Sequence, residues 1–146
     1  MKEPFLYYIH SRSALEGDNK ANNCTIPLRG LPTTYKRFRC EVLNFMINAS
    51  TLDNTSGLLE FIGITADTFV SHGYSTYKNG TADVVAEVYI ADSMSFKRNQ
   101  FVVDNFQYKE VKFELVDVYG FLIEDALINQ TNDTVWTLSL LLHPIE

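Results

Sequence analysis

From Trp136 to Leu142 every second residue is large and apolar. Trp136, Leu138, Leu140 and Leu142 fall on one side of an extended chain, and Thr137, Ser139 and His143 fall on the other. A period of two is that of a β-strand and does not match the three-to-four residue spacing of a helix face. One side of such a strand needs a second layer to cover it. The pattern recurs. Val84, Ala86, Val88 and Ile90 alternate against Asp83, Val85, Glu87 and Tyr89, and Val111, Phe113 and Leu115 alternate against Lys112, Glu114 and Val116. No stretch carries a helix-length apolar repeat, and residues 123–128 have room for one turn at most. The chain is expected to be all-β.

Residues 5–10 read as an opening strand, followed over 11–22 by a polar connection rich in Gly, Asn and Asp. Residues 24–28 form a short second strand, which Pro27 places at a sheet edge or bulge because proline cannot donate to the ladder. A long strand spans 35–48, with Phe38, Cys40, Val42 and Met46 on one side and Arg37, Arg39 and Glu41 on the other. Past Glu41 the second side turns apolar with Leu43, Phe45 and Ile47, which predicts cover on both faces. Strands are expected over 58–65 and 68–77, and Asn79-Gly80 is a hairpin signal leading into a strand over 83–90. Residues 93–100 read as a polar loop, 101–106 as short and extended, and 110–118 as a strand. Gly120 turns the chain into 121–123, and a last loop over 129–134 precedes the final strand.

About eight to ten strands separated by polar turns, with no repeat or linker, predict one domain over 1–146, a β-sandwich. About eight strands in roughly 150 residues suit a single jelly roll, two four-stranded sheets joined by Greek-key connections. An immunoglobulin-type sandwich fits less well, because Cys24 and Cys40 lie close in sequence and Trp136 follows both.

Hydrophobic residues make up 46% of the chain and charged residues 21%, a balance that supplies a packed core and argues against disorder. The formal net charge is −6, and the basic run Lys36-Arg37-Phe38-Arg39 is short. Nucleic-acid affinity comes largely from neutralising phosphates, so direct genome binding is not expected. No apolar run reaches the ~18 residues of a membrane span, so membrane insertion is not expected. Met1-Lys2-Glu3-Pro4 does not open as a signal peptide, which leads to an expectation of cytosolic synthesis. The six Asn-x-Ser/Thr sequons (from Asn23, Asn48, Asn54, Asn79, Asn129 and Asn132) then read as loop and strand-end composition.

Catalytic patterns are sought without success. His10, His72 and His143 are widely spaced and lack the His-x-His plus Glu of a cupin-type metal site. Cys40 sits among apolar strand positions and reads as a buried, inert thiol, whereas a Cys nucleophile needs a nearby base. Cys24 has no local signature. Ser71-His72 and Ser11-Arg12-Ser13 form no nucleophile elbow. Gly63, Gly73 and Gly80 form no phosphate loop. The scattered Asp53, Asp67, Asp83, Asp92, Asp104, Asp117 and Asp125 read as solvated strand ends rather than a calcium loop. Tyr74, Tyr77 and Tyr89 are candidates for sugar stacking, with cross-strand packing as the plainer reading. No catalytic, cofactor-binding or metal residue is assigned, and the protein is not expected to be an enzyme. Leu43, Phe45, Ile47, Val85, Tyr89, Val116 and Val118 exceed what one core face requires, and such a surplus points to burial by a partner.

Two segments carry a resemblance. One is Ile9-His-Ser-Arg-Ser13, the Gly/Asn-rich loop and Asn23-Cys-Thr-Ile-Pro-Leu28. The other is Val111-Lys-Phe-Glu-Leu-Val-Asp117-Val-Tyr-Gly120-Phe-Leu-Ile123 with the terminal strand ending Pro-Ile-Glu146. Together, over about a third of the chain, they resemble single jelly-roll penton-type and minor capsid proteins of large double-stranded DNA viruses, of the chlorella-virus and virophage kind. The family's usual acidic residue after Ser-Arg is Ser13 here. The resemblance implies a structural virion protein without cofactors, a penton or cementing minor capsid subunit made in the host cytoplasm. Its implied partners are the major capsid protein, neighbouring minor capsid subunits and further copies of itself, such as a pentamer. The alternative expectation is a carbohydrate- or receptor-binding sandwich.

Overall fold

The computed structural model describes residues 3–14, 21–30, 34–48, 61–66, 84–89, 95–97, 100–104, 110–117, 121–123 and 135–145. Nine strands lie among them: β1 (Phe5–His10), β2 (Asn23–Pro27), β3 (Arg37–Ile47), β4 (Phe61–Ala66), β5 (Val84–Tyr89), β6 (Ser95–Lys97), β7 (Gln100–Asp104), β8 (Glu110–Val116) and β9 (Trp136–Ile145). They form two antiparallel sheets, one ordered β1-β9-β3-β7 and the other β2-β8-β4-β5-β6. The all-β expectation holds, and the architecture is a β-sandwich. Residues 68–77, the Asn79-Gly80 turn and the 129–134 loop lie outside the described residues. The stretch read as a polar loop over 93–100 instead contains β6 and the first residue of β7.

Apolar side chains from both sheets meet in one core: Ile9, Phe38, Cys40, Val42, Leu138, Leu140 and Leu142 from the first, Cys24, Ile26, Ile64, Val111, Phe113 and Leu115 from the second. The inward row of β9 is the one that its alternation predicts. Full burial of each such aliphatic side chain contributes about 1.5–3 kcal/mol. Trp136 bridges the layers. Its indole lies 6.4 Å from the Phe45 ring of the first sheet and 5.3 Å from the Phe113 ring of the second.

Buried polar groups around Trp136 are paired, as burial requires. Trp136 Nε1 donates to the Ala21 carbonyl (2.8 Å), and its backbone N–H donates to Ser11 Oγ (3.0 Å). Asn22 Nδ2 donates to the Ile123 carbonyl (2.8 Å), and the Leu115 N–H donates to the Asn22 carbonyl (2.9 Å). The connection between β1 and β2, read from sequence only as polar, thereby joins β8 to the start of β9. It begins with a single 3-10 turn, Ser11–Ser13. At the opposite end, Phe5, Tyr35 and Phe38 pack edge to face or tilted at 5.9–6.4 Å.

Long β3 departs from the expected facing. Val42 pairs with Leu140 and Asn44 with the next β9 residue, Ser139, so Leu43 is an extra residue in a β-bulge. The insertion shifts the alternation by one. Phe45 and Ile47 enter the core, while Met46, expected beside Phe38 and Cys40, is exposed. A second bulge inserts Val85, because Ile64 pairs with Ala86 and Thr65 with Val84. Val85 and Ala86 are therefore buried one after the other. At the end of β8, Leu115 and Val116 are both buried, where Leu122 returns to bridge Val116.

These shifts correct the expected apolar surplus. Phe45, Ile47, Val85 and Val116 belong to the protein's own core. Leu43 is half-buried, the Tyr89 side chain is not described, and Val118 lies outside the described residues.

The hydrogen-bonding phase of β9 follows from its ends. The Asn48 N–H donates to the Val135 carbonyl (3.1 Å), so odd-numbered β9 residues turn their backbone groups toward β3 and even-numbered ones toward β1. The Trp136 N–H, which meets Ser11 at the end of β1, agrees. Pro144 falls in the even set, so its missing N–H removes no bond to β3.

Candidate interaction face

Alternation and register define the outer face of the first sheet. Leu6, Tyr8 and His10 project there from β1, Thr137, Ser139, Leu141 and His143 from β9, and Arg37, Arg39, Glu41 and Met46 from β3. Leu6 lies opposite Leu141, which lies opposite Glu41; Tyr8 lies opposite Ser139, and His10 opposite Thr137 and then Met46. Leu6, Tyr8 and Met46 are 57%, 69% and 54% exposed; Leu6 and Tyr8 stand beside the half-buried Leu141, whereas Met46 lies apart on β3, across Thr137 from His10. The β1 side of the face is therefore apolar.

The side toward β3 and β7 is charged and hydrogen-bonded. His143 Nε2 lies 3.3 Å from Glu41 Oε2 across the β9–β3 ladder, and Arg39 Nη1 donates to Gln100 Oε1 (3.4 Å). An apolar patch beside a polar margin is the anatomy of a protein–protein contact surface. Phe121 and Leu122, beyond β8, form a separate small exposed pair near the second sheet.

The residues weighed for chemistry are dispersed. Cys24 and Cys40 are free thiols buried on the inner faces of opposite sheets, and burial pushes the Cys40 thiol upward, which disfavours the reactive thiolate. His10 is exposed on β1, where Nδ1 accepts from the Arg12 N–H (3.1 Å), and His143 sits on β9. Ser11 is buried as the partner of Trp136. His72, Tyr74 and Tyr77 lie outside the described residues. No group of three potential metal ligands occurs among the described residues.

Sequence reading missed Leu6 and Tyr8, although β1 is apolar on both faces, the signal that could have exposed them. No family model, curated protein or solved structure matches the chain.

Proposed function

We propose that this chain is a structural assembly subunit with a jelly-roll fold, acting through protein–protein contacts as a penton or minor capsid component of an icosahedral virus. The observation that carries the assembly reading is the exposed apolar pair Leu6 and Tyr8 beside Leu141 along the β1 edge. Monomeric proteins seldom leave such a patch uncovered. The jelly-roll reading draws on nested pairing: β1 with β9 and β3 with β7 in one sheet, β2 with β8 and β4 with β5 in the other. A long hairpin rolled over itself yields this order, with β6 as a short addition at the end. The capsid assignment itself draws on the resemblance of the two terminal segments. The net charge of −6 suits a shell component better than a genome binder.

Mass spectrometry of purified particles, followed by a density map locating the chain, tests this function. Incorporation at stoichiometric copy number is the expected result. A monomer at every concentration that is absent from any particle counts against it. One observation favours the alternative of a glycan- or receptor-binding module: Tyr8 is highly exposed and stands beside the polar Ser139. Glycan-array binding lost in Tyr8→Ala would select that reading.

A further inference from the structure

The edge of the first sheet carries a second, more specific feature. Even-numbered β9 residues turn toward β1, and the register pairs Phe5, Tyr7 and Ile9 with Leu142, Leu140 and Leu138. Those three β1 residues bond to β9, so Leu6, Tyr8 and His10 turn their N–H and C=O groups to the open side. No described strand lies there. The same two residues, Leu6 and Tyr8, carry exposed apolar side chains.

Natural sheets guard their edges with proline, lysine, bulges or short strands. Edge strand β2 contains Pro27, and edge strand β6 is three residues long. β7 spans five residues and ends at Asp104. β1 runs six residues in unbroken register with β9, without proline, lysine or bulge. It is the longest unguarded edge among those described.

We infer that β1 pairs antiparallel with β1 of a second copy, joining two four-stranded sheets into one continuous sheet across a two-fold axis at Tyr7. In that register Leu6 of each copy stands opposite Tyr8 of the other, and both are hydrogen-bonded pairs because both turn to the edge. Leu6 and Tyr8 also share the outer face, so each aliphatic side chain meets an aromatic ring, a favourable cross-strand combination. The apolar patches around Leu141 become contiguous across the join. A second copy fits because the strand is its own complement in this register. The six-residue edge is about 20 Å long. Its contact falls below the roughly 1,200 Å² of standard interfaces, so the dimer is reversible rather than obligate. This inference extends the assembly reading by naming a partner, and it stands or falls separately from the capsid assignment.

Analytical ultracentrifugation across a wide concentration range tests it on the full chain. The wild type is expected to dimerise. Leu6→Pro removes an edge-facing N–H together with the Leu6 side chain but no bond to β9, and Tyr8→Lys places a charge on the edge. Each should weaken the dimer by more than about tenfold while circular dichroism stays unchanged. Met46→Thr, away from the edge, should leave it intact. Should Leu6→Pro perturb the fold, Tyr8→Lys alone decides. Register is read by mixing Leu6→Cys and Tyr8→Cys chains. Oxidation should link the two variants to each other faster than either to itself, since diagonal neighbours lie about 7–8 Å apart. A wild type monomeric at every concentration overturns the inference. So does a dimer indifferent to both edge variants, or an edge that pairs only with a different protein. Incorporation of the edge variants into particles would leave the assembly reading standing while removing this contact from it.

Discussion

Trp136 and Asn22 show how single residues close this sandwich. The indole fills the space between Phe45 and Phe113, and its N–H meets the Ala21 carbonyl at 2.8 Å. Trp136→Phe keeps most of the packing but leaves that buried carbonyl unpaired, an expected loss of about 1–3 kcal/mol by denaturant unfolding. Asn22→Ala strands the Ile123 carbonyl and should cost a similar amount. Cys40 has a different signature. Burial raises its thiol, and burial also raises Tyr7, partly offset by the hydrogen bond that Tyr7 accepts from the Arg29 N–H. Both groups are neutral in the folded protein at pH values where the unfolded chain has begun to lose their protons. Their contribution to stability is therefore constant below about pH 8.5, the ordinary thiol range, and falls as pH rises beyond it. Urea unfolding from pH 7 to 11 should show this decline, and Cys40→Ala should flatten it by up to about 1.4 kcal/mol per pH unit.

At the scale of the strand, the bulge at Leu43 decides which half of β3 reaches the core. Phe45→Ala is expected to cost about 3–5 kcal/mol, whereas Met46→Thr should stay within about 0.5 kcal/mol. The alternation of residues 35–42 extended without interruption would predict the reverse. Deleting Leu43 removes the extra residue while keeping Val42 and Phe45 inward, so the variant should fold with native circular dichroism. Val42→Asp, by contrast, puts an unpaired charge in the core and should be far more damaging when both are compared by thermal melting. Bulges are weakly encoded in a single sequence, because they conserve composition and change only the phase. β9 is the contrasting case, where the alternation from Trp136 to Leu142 is read directly as the observed inner row.

At the scale of the molecule, the first and last strands are neighbours, and β9 lies between β1 and β3. Sheet one cannot form without it. A chain ending at Thr134 should be unfolded by circular dichroism and should recover no structure on dilution from denaturant. The ladders β1·β9, β2·β8 and β3·β7 join distant segments, so refolding is expected in the millisecond-to-second range typical of non-local β topologies, measurable by stopped-flow fluorescence of Trp136. The charged β3 side of the outer face, with His143 beside Glu41, sets a polar boundary to the apolar β1 side where association is expected.

Alternating residues in β8 and β9 determined by themselves that this chain would be extended and which of the β9 side chains would be buried, because side-chain direction in a strand follows from covalent geometry alone. Pro27 likewise announced an edge, and β2 is one. Strand partners, the phase shifts at Leu43 and Val85, and the exposure of Leu6, Tyr8 and Met46 were decided only when the sheets assembled. Pairing is chosen by the match of whole faces and ladders between distant segments, and no local pattern in either segment contains that information.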